Sequence, residues 1–308
     1  MILKLFNIHA IEKETFNLLN PYTLNQGKNF FRFNKQSFIL SNGYLNFSRK
    51  IESLDIFYRF SPDVPLWNSS GTWKRIIQNI DKKILIKTSL LSLKKSILFF
   101  LEKNKLNINL NLIHDQSNEK FNDEIKSLLE NDGFNINFFK NKINGNRGSF
   151  LECCDQCENS KDLIYFIEDD YIFKKESIDE ILFSYSRIST LINNDVFLCP
   201  TDHPFYYDSN YQTSIFIGKN YRWRIVQDTL LTFLFSKKLF NKFKSEIRLV
   251  GEQKNDPFEK PLHEIFQKVP CLAPIFSTSY HFSRTVPGVE DHWIKLWKNL
   301  HKEIIGGP

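Results

Sequence analysis

The segment LIYFIEDDYIF, residues 163–173, sets three consecutive carboxylates, Glu168, Asp169 and Asp170, at the end of an almost unbroken apolar run. Unpaired carboxylates are costly to bury, so these charges mark the point where the chain leaves the core. An oxygen-rich cluster suits a hard divalent cation such as Mg2+ or Mn2+, and such a cation can clamp a diphosphate. The plain alternative is a solvated strand-to-helix turn in which Asp170 or a neighbour caps the helix.

Other chemistry-bearing residues fall at comparable places. LIHDQSNE ends an apolar run with Asp115 and Ser117, and NGNRGSF offers Asn146, Arg147 and Gly148 before a helical pattern. TDHP supplies Asp202 and His203, either as polar contacts for a ligand or as a simple turn. In YRWRIVQD, Trp223 and Arg224 suit stacking on a sugar and gripping a phosphate, although core packing also accounts for the indole. His281 in STSYHFSR is either a ligand or a buried, hydrogen-bonded imidazole.

These groups need a scaffold, and the hydrophobic pattern supplies one. KKILIKT (82–88) reads as a strand, and Leu90, Leu93, Ile97 and Phe100 then mark a helix. INLNLIH is a second strand, Phe121, Ile125 and Leu128 a second helix, and Phe138 and Phe139 lie in a third strand. A helix over 148–159 leads to DLIYFIE as the fourth strand; Ile178, Ile181, Leu182, Tyr185 and Ile188 repeat at helical spacing before the strand DVFLCP. This alternation predicts a mainly parallel sheet covered on both faces. Ligands bind beyond the carboxyl ends of such strands, where Asp115 and Glu168 to Asp170 lie.

Residues 1–80 stand outside the rhythm and read as an extension packed on the main domain, because LDIFYRF and Trp67 are too apolar for a free tail. Residues 81–200 form one half of that domain. Residues 201–308 form the other, with the aromatic, antiparallel segments YQTSIFIG, YRWRIV and TLLTFLF, a helix near 259–268 and a C-terminal helix. That last helix carries Trp293, Leu296, Trp297 and Leu300 among basic residues. It is expected to fold back over the domain, with peripheral contact to the inner face of a membrane as the alternative.

Composition narrows the classes. The 308 residues are 42% hydrophobic and 25% charged, which excludes global disorder. The net charge of +6 is spread along the chain rather than gathered in a stripe, which argues against nucleic acid as a partner. No apolar stretch reaches the roughly 18 residues a membrane span needs, and the first residues lack a signal-peptide layout, so a cytoplasmic protein is expected. Cys153, Cys154 and Cys157 in ECCDQC have no second pair to complete a zinc site and read as helix packing.

The order of these motifs resembles that of GT-A glycosyltransferases, in particular the family-2-like group. The similarity runs through Thr88 after the first strand, Asp115-Gln116-Ser117 after the second, Asn146-Arg147-Gly148 at a helix start, and Glu168-Asp169-Asp170 as the DxD-type motif. The resemblance implies a Rossmann-like α/β/α sandwich with a mixed acceptor-side half. It also implies transfer of a hexosyl group from a nucleoside-diphosphate sugar to a glycan or lipid-linked hydroxyl, as in polysaccharide or glycolipid biosynthesis. Carried over, Thr88, Asp115, Ser117, Asn146, Arg147, Glu168 and Asp169 serve the nucleotide, and Asp170, Glu168 and His281 hold Mn2+ or Mg2+. Asp202, His203, Trp223 and Arg224 face the acceptor. An inverting enzyme of this kind needs a carboxylate base near a downstream helix start, which points to Glu259, with Asp256, Glu252 and Asp228 as further candidates. Glu stands where many relatives have Asp at the first motif position, so Glu168 is expected to act through water or on the ribose. A nucleotidyltransferase acting on sugar phosphates is the alternative enzyme; it usually has a glycine-rich loop after the first strand, which IKTSLLSLKKS lacks. A non-catalytic binding module is the third reading.

Overall fold

The strand that organises the molecule is Ser53–Phe60, whose eight residues are all buried. In the computed structural model, which describes residues 29–33, 36–40, 47–64, 81–130, 133–207, 213–282, 287 and 289–306, this strand (β3) lies inside a nine-stranded sheet. An outlying hairpin of β1 (Asn29–Phe33) and β2 (Gln36–Leu40) precedes it. The remaining sheet strands are β4 (Asn107–His114), β5 (Asn135–Lys140), β6 (Leu163–Glu168), β8 (Phe197–Leu198), β9 (Ile215–Ile217), β10 (Arg222–Val226), β11 (Phe233–Ser236) and β12 (Cys271–Ile275). A separate pair joins β7 (Tyr171–Phe173) to β13 (Ser279–His281).

The sheet order is β5-β4-β3-β6-β11-β8-β12-β10-β9. Its first four strands are parallel, while β11, β10 and β9 run antiparallel to their neighbours. Helices cover both faces: α1 (Lys82–Leu101), α2 (Glu119–Leu129) and α4 (Ser177–Ile192) on one, α3 (Asn146–Gln156), α5 (Lys237–Lys242), α6 (Lys244–Glu252) and α7 (Lys260–Phe266) on the other. The expected α/β/α sandwich, with a parallel half and a mixed half, is the observed one.

Two expectations need correction. Lys82–Leu101 is a single helix from its first residue, capped by the Asp81 carboxylate, which accepts from Lys83 N at 2.6 Å. The segment 82–88 is therefore not the first strand. That position belongs to Ser53–Phe60, which the sequence reading assigned to an extension. The physical reason is that α1 packs on β7, α2, α4 and the C-terminal helix α8 (His292–Gly306) at once. Buried on several sides, it has an apolar run that imitates a buried strand.

Side-chain alternation along the parallel strands separates two cores. Leu54, Ile56 and Tyr58 with Leu163, Tyr165 and Ile167 face α1, α2 and α4. Phe57 with Ile164 and Phe166 faces α3 and α6, where Cys153, Cys154 and Cys157 are buried as free thiols. The aromatic face of α8 turns inward, with Trp293, Trp297 and Leu300 packed against Leu85, Ile172 and Phe282. Those side chains are thus not available to a lipid surface. No helix of the described residues is long and apolar enough to cross a membrane.

Candidate active site at the carboxyl edge of the sheet

The strand order reverses between β3 and β6, and the carboxyl ends at such a switch point are the usual ligand position in an open α/β sheet. Register places Arg59 of β3 opposite Glu168 of β6. Alternation turns both side chains to the α3 face, and the Arg59 guanidinium donates to Glu168 Oε1 at 2.7 Å. Asn146, at the first turn of α3, closes the same knot by accepting from Arg59 at 2.6 Å.

Each carboxylate of the motif has its own cationic partner. Glu168 pairs with Arg59, Asp169 with Lys82 at the first turn of α1, and Asp170 with His281. Asp169 also accepts from Ser61 N at 2.9 Å. The last pairing follows from topology: β7 and β13 are antiparallel with His281 opposite Tyr171, and Phe282 N donates to Asp170 O at 2.8 Å. The imidazole stacks on the Tyr171 ring, with centroids 4.4 Å apart and planes at 11°. Its Nε2 lies 3.2 Å from Asp170 Oδ2.

The electrostatics are those of charges held close and dry. Burial pushes the Glu168 carboxyl up to about 7, with Arg59 opposing and Asp170 adding to the rise. Burial also raises the Asp169 carboxyl against the pull of Lys82. At Asp170 burial works the same way, but the neighbouring His281 outweighs it and the carboxyl falls below its ordinary range. His281 shifts up in return, since Asp170 outweighs the burial that disfavours the imidazolium.

One ligand atom each from Glu168, Asp170 and His281 lies within 4.8 Å of the others. Among the described residues, Asp170 Oδ1 and His281 Nδ1 are buried with no hydrogen-bond partner. Two carboxylates and an imidazole with unused buried lone pairs fit a divalent cation such as Mn2+ or Mg2+.

The nucleotide-side residues divide. Asp115 follows β4; its Oδ2 accepts from Gly145 N at 2.8 Å, while Oδ1 and the Ser117 hydroxyl are buried with no hydrogen-bond partner among the described residues. Arg147 is exposed beside Asn146. Gly148 has no room for a side chain, because a Cβ would lie 1.7 Å from Ile143 O. Thr88 does not join them: it is fully buried within α1 and its hydroxyl donates to Ile84 O at 2.7 Å.

On the other side, Asp202 is buried and accepts from Arg224 at 2.6 Å and from the Tyr207 hydroxyl at 2.7 Å. His203 packs edge-on against His281, with centroids 5.7 Å apart. Trp223 is a core residue of β10 whose indole N–H donates to Glu180 Oε1 at 3.2 Å, so it offers no stacking face. Glu259 is not an open base. Its buried carboxylate accepts from Thr229 N at 2.9 Å, from Thr229 Oγ1 at 2.7 Å and from Leu231 N. It braces a loop in which Leu230 and Leu231 have φ of 47° and 57°. Asp256 and Glu252 are exposed, whereas Asp228 Oδ1 lies 2.8 Å from His263 Nε2. Sequence reasoning missed Arg59, Lys82 and Ser61; the signal for Arg59 and Ser61 lay in YRFSP, where the buried strand SLDIFYRF ends in a turn.

No protein-family model and no curated protein matches the sequence. Solved structures are similar to the chain at low identity and low TM-score. One is 4-diphosphocytidyl-2C-methyl-D-erythritolsynthase from Anaerococcus prevotii, with 13% identity, a TM-score of 0.41, and 80% of this chain and 97% of that chain covered. A UDP-glucose pyrophosphorylase complexed with UDP-glucose gives 9%, 0.42, 82% and 100%. The glycosyltransferase GlyE of Streptococcus pneumoniae gives 10%, 0.40, 83% and 64%.

Proposed function

We propose that this chain is a metal-dependent glycosyltransferase, moving a hexosyl group from a nucleoside-diphosphate sugar to a hydroxyl of a glycan or lipid-linked acceptor. The observation that carries the reading is the convergence of Glu168, Asp170 and His281 ligand atoms within 4.8 Å just beyond the carboxyl end of β6. Glu168, Asp170 and His281 would hold a divalent cation, which would supply positive charge to the departing diphosphate.

The chain's own residues do the rest. Arg59 fixes Glu168 through its 2.7 Å bond, and Lys82 holds Asp169, so the motif is rigid before a ligand arrives. Asp115 Oδ1 and the Ser117 hydroxyl, at the end of β4 and without a hydrogen-bond partner among the described residues, take the nucleoside. Among the carboxylates considered as a base, Asp228 is 40% exposed and lies beside His263. As general base it takes the acceptor hydroxyl proton as the new glycosidic C–O bond forms and the anomeric carbon–diphosphate bond breaks, with inversion. Cytoplasmic polysaccharide or glycolipid assembly is the corresponding role.

A thermal-shift panel of nucleoside diphosphates and nucleotide sugars, with and without Mn2+, tests this. A Mn2+-dependent rise with one nucleotide series is expected. No shift with any of them overturns the reading, and a shift with nucleoside triphosphates alone replaces it with nucleotidyl transfer.

A further inference from the structure

The carboxyl edge continues past the metal-ligand cluster to an aromatic surface that nothing above explains. Among the described residues, Tyr207 and Phe276 are two of the few large hydrophobic side chains left open, at 51% and 56% exposure. Both hang from one oxygen. Asp202 Oδ2 accepts from the Tyr207 hydroxyl at 2.7 Å and from Phe276 N at 3.1 Å. The other oxygen, Oδ1, accepts from Arg224 at 2.6 Å, and that guanidinium lies over the Tyr207 ring, 4.1 Å from its centroid.

Phe276 is held in a conformation it does not favour. Its φ is +69°, the left-handed region that bulky residues rarely adopt. Glycine would sit there without penalty. A buried carboxylate thus pins a strained backbone so that a phenyl ring stands in water, an arrangement with a stability cost and no packing return.

Position identifies the occupant. Asp202 follows β8, Phe276 follows β12, and both strands run parallel to β6, so the surface shares the edge that carries Glu168. In the sheet order, β4 with Asp115 lies on one side of β6, and β8 and β12 lie on the other. At about 4.8 Å per strand, β12 sits about 14 Å from β6. A nucleotide reaching from Asp115 to Asp170 leaves that side free for the molecule receiving the sugar.

We infer that Phe276 and Tyr207, with Arg224, form the platform on which a pyranose ring of the acceptor glycan packs its C–H face, the buried Asp202 holding the platform in place. Open aromatic faces bind the apolar face of a sugar, and the adjoining guanidinium donates to its hydroxyls. The inference rests on the glycosyltransferase reading above.

The test is retention of the whole protein on an array of hexopyranose oligosaccharides without nucleotide, followed by calorimetry with the best-retained one. Phe276→Ala and Phe276→Gly are expected to weaken that glycan at least tenfold. Phe276→Gly is also expected to melt no lower than wild type, because the strained φ is relieved. The Mn2+-dependent nucleotide shift remains unchanged in both, which separates failure of the platform from failure of the transferase reading. Glycan affinity equal to wild type in either variant, or no retention of any hexopyranose oligosaccharide by the wild type, overturns the platform.

Discussion

His281 Nε2 stands 3.2 Å from Asp170 Oδ2, while His281 Nδ1 and Asp170 Oδ1 are both buried with no hydrogen-bond partner among the described residues. A purely structural pair would leave neither atom idle, since unsatisfied buried polar atoms each cost about 1–3 kcal/mol. Asp170→Asn keeps the shape and an acceptor for His281, and it removes one of three adjacent charges. Stability within about 1 kcal/mol of wild type and complete loss of the Mn2+-dependent nucleotide shift are expected, read by urea unfolding and thermal shift. Persistence of the metal dependence removes Asp170 from the ligand set.

Arg59 tests whether the motif depends on its scaffold. Its side chain is 3% exposed, and it serves Glu168 and Asn146 together. Arg59→Met strands a largely buried carboxylate, and breaking one side of such a pair costs about 3 kcal/mol. Adding Glu168→Gln removes the stranded charge, so the double variant recovers most of the loss. Urea unfolding of the two single variants and the double variant checks this. Additive losses would mean that the two side chains act independently.

The sequence made the carboxylate cluster legible and hid its supports, for a physical reason. Three carboxylates closing an apolar strand are visible locally, and His281 lies on the short segment STSYHF, whose pairing with β7 brings it to Asp170. Arg59 was hidden because α1 is packed on several sides, so its first turns read as the leading strand and displaced the real one. Glu259 shows the converse case. Its place at a helix start was legible, but its role depends on N–H groups of Thr229 and Leu231, which no local pattern reveals.

Glu259 therefore gives a prediction opposite to that of a solvent-facing base. Glu259→Gln turns an amide N–H2 toward donors that now point at a carboxylate. At least one donor is left unpaired in the interior, at a cost of about 2 kcal/mol. A base facing the acceptor would lose turnover with its stability unchanged. Here urea unfolding should show the loss directly, and the loop with left-handed Leu230 and Leu231 should gain protease sensitivity.

At the opposite edge of the sheet, Arg49 joins Asp195 at 2.9 Å and Asp162 at the amino ends of β8 and β6, and Ser236 donates to the second Asp195 oxygen at 2.9 Å. Burial disfavours the Asp195 charge, but the Arg49 and Ser236 bonds outweigh it and hold the carboxyl below its ordinary value. A carboxyl depressed in the folded state binds its proton more readily when unfolded. Its stabilisation is therefore fully present above the unfolded value of about 3.9 and disappears as pH falls through the lower folded value. Arg49→Met removes the strongest counter to burial, so the Asp195 carboxyl rises toward its unfolded value; the melting temperature falls near neutral pH and the Asp195 share of the acid limb shrinks. The nucleotide shift stays intact, because this cluster lies away from the Glu168–His281 site. An acid limb as steep as that of wild type in Arg49→Met would mean that Asp195 does not depend on the guanidinium.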